Sequence, residues 1–570
     1  MLRDLLREEL AKVIKEDIQI TVSEPERPEN GDYTTNAAFL IAKKEDRKPH
    51  EVAEELKSKL EKSSSNIVEK IDIGGSGFLN FWVKKENLLD GVNEVLENPD
   101  AFGKSNIGKN KKVIVEYFQL NIAKRPHIGH LRSAVIGDAI KRMLLAFGYE
   151  VISDTHVGDW GTQFGILICA LKQKHTELNL NEWRPENPFE WLEGLYIEGN
   201  AMIESNPRLR ELAKEEFAKL ERDDVENRKY WEWIEAISMQ QLEYTALRLG
   251  LLKFDEHKGE SSYTGDMPGI IEEALKKGVA QRKEDGAVVA DLKNEGLDEA
   301  VLLKSDGAST YLLRDLATIK YREQQYNFWR NLYVVDARQE HHFKQVFSVA
   351  EKLGYGGVNE SAHIAFGFMK LTEGAISTRA GTAISLEGVI DEARRRAKKI
   401  IEEKNPDLEK KEVVALQVGL GALKYFDLSH NRHSDIIFKW DEALSFEGDT
   451  GPYLQYTYAR LKSIVKKSGR EAAGEINKDI EIDSIERSLL STILRFPEII
   501  EDALSDFLPN ILANYLFKLA QKANEFYHSR PVLRAETEAK KNLRLALAKA
   551  MALTLQKGLD LLGIWAPEEM

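Results

Sequence analysis

The 570-residue chain is predicted to fold as an α/β protein: a parallel-sheet core split by a helical insertion, with a small α+β unit before it and an all-α segment after it. Three observations carry that expectation. The first is a β-branched run over 113–118, then a loop, then a long amphipathic helix. In that helix Ile128, Leu131, Val135, Ile136, Ile140, Met143 and Leu144 keep a 3.6-residue period until Gly148 stops it, and an apolar strand resumes at Val151. The second is the return of such a strand only at 332–336, beyond a Trp- and Glu-rich stretch. The third is nearly unbroken helical patterning from 446 to 570.

Taken in order, residues 1–85 form the small unit. Leu2, Leu5, Leu6, Leu10, Val13 and Ile14 fall at helical spacing, Gly31-Asp32-Tyr33 leads to a second helix over 36–42, and Pro49 opens a third through Leu60. Strands at 67–73 and 78–83 flank the turn Gly74-Gly75-Ser76-Gly77. Residues 86–112 are a partly helical linker, and 113–170 make the first half of the core. The insertion spans 171–300 and ends in a hairpin-like stretch, 287–292 with 300–304. The second half of the core occupies 301–362, a Gly-, Ser- and Thr-rich loop with helices occupies 363–445, and the helical segment closes the chain at 446–570.

Composition narrows the possibilities. The chain is 42% hydrophobic and 31% charged. No apolar run reaches the roughly 18 residues that a membrane span needs. A lone Cys169 excludes a disulfide framework and a structural zinc held by thiolates. The start lacks the apolar core of a signal peptide, so a cytoplasmic location is expected. A net charge of −14 argues, at first sight, against a nucleic-acid partner.

The strongest local signal is His127-Ile128-Gly129-His130 at a junction of loop and helix. A helix N-terminus presents free N–H groups and the positive end of its dipole to an anion. Two imidazoles three residues apart share a face and can donate to nucleotide phosphates, and Gly129 lets a nucleotide approach the backbone. Alone, the tetrapeptide is a common coincidence; no third ligand nearby favours a metal. Its context is informative. The segment 115–126 (Val-Glu-Tyr-Phe-Gln-Leu-Asn-Ile-Ala-Lys-Arg-Pro) precedes it, and Gly158-Asp159-Trp160-Gly161-Thr162-Gln163-Phe164-Gly165 follows one strand later. With these, the whole chain resembles the class I aminoacyl-tRNA synthetases, and specifically the arginyl-tRNA synthetase family.

The resemblance implies a Rossmann-type catalytic core, a connective insertion, an N-terminal domain that contacts the tRNA elbow and a helical anticodon-binding domain. It implies an arginine–tRNA ligase that uses ATP with Mg²⁺, forms arginyl-adenylate and transfers the arginine to tRNA(Arg). Activation is expected to require bound tRNA, and a monomer is expected. The second signature loop of the class is matched by Ala375-Ile376-Ser377-Thr378-Arg379, where Ser377 and Arg379 persist and both lysine positions are substituted. Lys124 stands where the family carries a compensating cation. ATP binding is thus expected at Lys124, His127, Gly129, His130, Met369, Ser377 and Arg379, with Lys124, His127, His130, Ser377 and Arg379 acting in catalysis.

Arginine recognition should need carboxylates, because a guanidinium presents five donors in a planar fork. By resemblance Glu116 and Asp315 take the guanidinium, with Tyr311 one turn from Asp315, while Asn121, His127 and Gln339 complete the site. Without the resemblance, Asp315 reads as a surface acid beside Arg314. Glu116, an acid inside a buried strand, requires a partner in any reading. The sequence departs from the family at Gln119-Leu120, where Ser-Pro is usual.

For tRNA, Phe78 is expected to stack on a base and Asn80 to read its edge. Phe78 and Phe81 are three apart and so face opposite sides of the strand, which leaves one of them free. Tyr453, Tyr456 and Arg460, one turn apart, form either a stacking face for RNA or an ordinary packing stripe. A catalytically impaired tRNA-binding paralogue is the alternative, motivated by the degenerate 375–379 loop. The charge does not decide against RNA: residues 171–300 hold 18 Lys and Arg against 29 Asp and Glu, so most of the acidity lies in the insertion.

Overall fold

The computed structural model describes residues 1–15, 18–63, 66–174, 185–371, 385–469 and 476–570. The chain divides into two compact units. One combines Met1–Ser105, Ile400–Gly421 and Leu444–Met570; the other combines Asn106–Lys399 with Ala422–Ala443.

The second of these is built on a parallel sheet of four strands, ordered Ala362–His363, Arg330–Tyr333, Lys112–Glu116 and Glu150–Asp154. Val113, Ile114 and Val115 are all buried, as a central strand covered on both faces requires. The register sets Tyr333, Glu116 and Asp154 side by side at the carboxyl ends of three neighbouring strands. The first strand stops at Glu116, short of the expected 118. Phe118 turns to φ +59°, and its N–H leaves the ladder for Ser133 Oγ, 2.9 Å away. Helix Ile128–Ala146 is buried almost all round, and its interior charges are partnered. Arg132 Nε lies 3.0 Å from Asp427, Asp138 pairs with Arg142 at 2.7 Å, and Lys141 donates to Ser153 Oγ at 2.7 Å.

Residues 171–300, expected as an insertion, include helices Pro188–Ser205, Pro207–Glu221 and Val225–Arg248. The hairpin-like stretch belongs to a three-stranded antiparallel sheet, Ala280–Arg282, Val288–Ala290 and Ala300–Leu303. The Gly158-Asp159-Trp160-Gly161 block is tied to helix Val225–Arg248 and to the segment that follows it. Trp231 Nε1 donates to the Asp159 carbonyl at 2.8 Å, and Asp159 accepts from Ser261 N at 2.8 Å.

In the other unit a four-stranded antiparallel sheet runs Val22–Ser23, Tyr33–Thr35, Phe78–Val83, Val68–Gly74. The two short strands at 22–23 and 33–35 go beyond the expected hairpin; two or three residues carry no readable alternation. This sheet does not stand apart, because Asp32 and Tyr33 dock on the late helices Ser484–Leu494 and Phe496–Ser505. Asp32 Oδ2 accepts from Arg487 at 2.7 Å and from Val83 N at 2.9 Å, and Tyr33 donates to Glu498 at 3.1 Å. Arg3 adds a 2.6 Å ion pair to Asp502. The same unit holds helices Leu2–Val13, Ala37–Glu45, Pro49–Lys62 and Lys85–Glu97, and the later helices Gly451–Lys467, Pro509–Ser529 and Glu538–Leu561.

Candidate active site

The carboxyl ends of the parallel strands open into a cleft of about 830 Å³, the position at which open parallel sheets bind ligands. Its wall brings together Glu116, Asn121, His127, Gly129, His130, Tyr311, Asp315, Gln339 and Met369, residues from five separate stretches of sequence.

One end is the start of helix Ile128–Ala146, where the two histidines form a reciprocal cap. His127 Nδ1 accepts from Gly129 N at 3.0 Å, and His127 N donates to His130 Nδ1 at 3.1 Å. With each Nδ1 committed as an acceptor, each neutral ring carries its proton on Nε2. Burial lowers the pKa of His127; burial, then His127 and Lys124, push His130 down to about 3. The pair is therefore uncharged at neutral pH and offers N–H donors, with ring centroids 3.9 Å apart. A Cβ at Gly129 would meet the His127 ring at 2.8 Å, so glycine permits the cap. Arg132, one turn on, donates to the Gly367 and Ser434 carbonyls at 2.8 Å each and ties the helix to the wall that carries Phe366, Phe368 and Met369.

The other end is acidic. Glu116 is 3% exposed, with Arg322 Nη2 at 2.7 Å from its Oε2. Gln119 lines the cleft with its side chain tied back on neighbours: its Nε2 donates to Glu116 Oε1 at 3.3 Å and its Oε1 accepts from Ser133 at 3.2 Å. Asp315 receives His342 Nε2 at 2.5 Å, while Arg314 turns to Glu260 at 2.7 Å, so Asp315 is no mere companion of Arg314. Burial raises the pKa of Glu260. His156, at φ +40°, also lines this end, and its pKa is raised. Burial opposes that shift, and the charges of Glu116, Asp315 and Asp154 outweigh it. Between the two ends, Asn121 sits against Gly158, where a Cβ would stand 2.5 Å from its Oδ1. Tyr311 and Gln339 are exposed on the rim, as is Arg338 over the Phe368 ring at 4.3 Å.

Lys124 lies outside this wall; its Nζ is 5.3 Å from the Tyr196 ring, and it borders an adjoining small hollow with Asn121. The neighbouring Arg125 pairs with Glu193 of the insertion at 3.0 Å. Ser377 and Arg379 lie outside the described residues. In the other unit Phe78 is 44% exposed against Phe39, Phe81 is buried, and Asn80 is buried with its Oδ1 accepting from Thr34 at 2.7 Å. Arg460 donates to Tyr456 and to Asn524 at 3.1 Å each, and Asn524 donates to Tyr453 at 2.8 Å, beside a cavity of about 560 Å³.

Arg322, His156, Glu260 and His342 belong to the site's wall or brace it without a sequence motif that marks them. The one available signal was the spacing of Tyr311, Asp315 and Arg322, which places all three along one helical face. The others are brought in by contacts distant in sequence.

A family model described as "tRNA synthetases class I (R), catalytic domain" matches residues 91–440. "Arginyl tRNA synthetase N terminal domain" matches 1–83, and "DALR anticodon binding domain" matches 454–570. An arginine–tRNA ligase of Halothermothrix orenii is 38% identical over 100% of this chain and 98% of its own. That of Fusobacterium nucleatum is 38% identical over 96% and 94%. Among solved structures, the Thermus thermophilus arginyl-tRNA synthetase superposes with a TM-score of 0.86 at 30% identity, covering all of both chains.

Proposed function

The chain belongs to the arginyl-tRNA synthetase family, and on that premise we propose how its cleft performs arginine–tRNA ligation. ATP activates L-arginine as arginyl-adenylate, and the arginine passes to tRNA(Arg). One observation supports the division of labour most directly. A single cleft carries neutral imidazole donors on a helix N-terminus at one end and carboxylates at the other.

In this reading ATP enters as its Mg²⁺ complex with its phosphates against His127, Gly129 and His130. Arginine lies with its guanidinium toward Glu116 and Asp315 and its amino and carboxylate groups toward Asn121, His127 and Gln339. The carboxylate attacks the α-phosphorus in line, the bond to pyrophosphate breaks, and no covalent enzyme intermediate forms. The Nε2–H donors stabilise charge on the phosphate oxygens without giving up a proton. Lys124, with Ser377 and Arg379 of the second signature loop, supplies the cationic counterpart. A ribose hydroxyl of the terminal adenosine then displaces AMP. The exposed ring of Phe78 and the Tyr453, Tyr456 and Arg460 cluster are the proposed tRNA contacts, and a cytoplasmic monomer is the proposed working form. The full-length matches are to ligases, and none favours an inactive paralogue.

ATP–pyrophosphate exchange with each of the twenty amino acids, with and without tRNA, tests the reading. Exchange is expected for arginine alone and in the presence of tRNA. Exchange with another amino acid would overturn the specificity, and full-rate exchange without tRNA would overturn the tRNA requirement.

A further inference from the structure

Resting on the reading of Glu116 as a guanidinium ligand, we infer that Arg322 is a positioning residue for substrate selection, through its grip on the carboxylates of Glu116 and Asp154. Arg322 is 1% exposed and one nitrogen serves both acids: Nη2 lies 2.7 Å from Glu116 Oε2 and 2.8 Å from Asp154 Oδ2. Its Nη1 donates to Asn331 at 3.4 Å, and its guanidinium packs on the Tyr333 ring at 5.7 Å. The sheet register forces this arrangement, because Glu116 and Asp154 are directly opposed on adjacent strands, and like charges so placed repel. One cation offsets only one of the two carboxylates at the strand ends, where the cleft opens beside His156.

The grip sets more than charge. Glu116 Oε2 is ion-paired with Arg322 without a hydrogen bond, and Oε1 meets the neutral Gln119 amide at 3.3 Å, a contact that a substrate guanidinium can replace. Asp154 uses its other oxygen, Oδ1, to accept from His156 N at 3.1 Å and Lys258 N at 3.0 Å. The same guanidinium therefore anchors the turn that carries His156 and Gly158, and Gly158 abuts Asn121. Arg322 touches neither substrate in this scheme; it shares a helix face with Tyr311 and Asp315 and stiffens what they face. If fold maintenance were its whole purpose, a packed apolar group would serve as well as a buried ion pair.

The test uses the full chain with saturating tRNA(Arg) and compares KM for arginine and for ATP in Arg322→Lys, Glu116→Gln and the double variant. Lysine keeps the charge and the fold, but its ammonium falls short of the two carboxylates. Arg322→Lys is expected to raise the arginine KM about 10-fold and to leave the ATP KM within about two-fold. In the Glu116→Gln background the same change should add only about two- to three-fold, since the route through Glu116 is already lost and only the anchoring of Asp154 remains. Equal rises in both KM values, or full additivity in the double variant, would reduce Arg322 to a structural ion pair and overturn the inference. An unchanged arginine KM in Glu116→Gln would instead overturn the recognition reading on which it rests.

Discussion

The two ends of the cleft are made in opposite ways. The histidine end comes from four consecutive residues, carries no charge, and is closed by hydrogen bonds to its own backbone. The acid end gathers Glu116, Asp154, Glu260 and Asp315 from distant stretches, and each is held by a cation or imidazole that is itself remote in sequence. The difference suits what each end is proposed to bind. A polyphosphate can be met by neutral donors and a helix dipole, which cost little to assemble locally. Selecting a guanidinium requires negative charge concentrated where water is scarce. Such charge needs counter-ions from other elements to stay in place.

Substitutions that strike one end alone test the separation. The largest effect is expected from His130→Ala, which removes a donor aimed at developing charge. The exchange rate should fall about 10²- to 10³-fold with the arginine KM unchanged. A matching rise in the arginine KM would show that the ends are not independent. Next comes Asp315→Asn, which deletes a charged hydrogen-bond acceptor but keeps the shape. Its arginine KM should rise about 10- to 100-fold, measured against an unaltered KM for ATP.

The smallest effect is on stability. His130 has a pKa of about 3 in the folded chain, so below the ordinary histidine range the unfolded chain binds the extra proton and folding weakens as pH falls. Between pH 7 and pH 5 this one group should cost about 2 kcal/mol. Urea denaturation at the two pH values should therefore show a smaller loss for His130→Gln than for the parent. An equal loss would mean that the ring is already solvated and free to protonate.

How much could be read in advance divides along the same line. The strand at 113, the helix from Ile128 and the two-histidine junction stood out because period and capping act over three or four residues. The loop departure at Gln119 was visible too, yet its meaning was not, since only the fold shows the side chain lying back on Glu116 and Ser133. The need of Glu116 for a partner was legible from burial alone; that the partner is Arg322 was not. The sequence by itself determined the class of fold, and it marked out the helix end proposed for phosphate and the acids proposed for a guanidinium. Tertiary structure alone decided which charges neutralise one another, and that the N-terminal sheet shares a unit with the last helices. The physical reason is reach. A hydrogen-bonded cap is settled within one helical turn, whereas an ion pair depends on which strands become neighbours. Here the strand at 112–116 lies between those at 150–154 and 330–333, an order that no local pattern encodes.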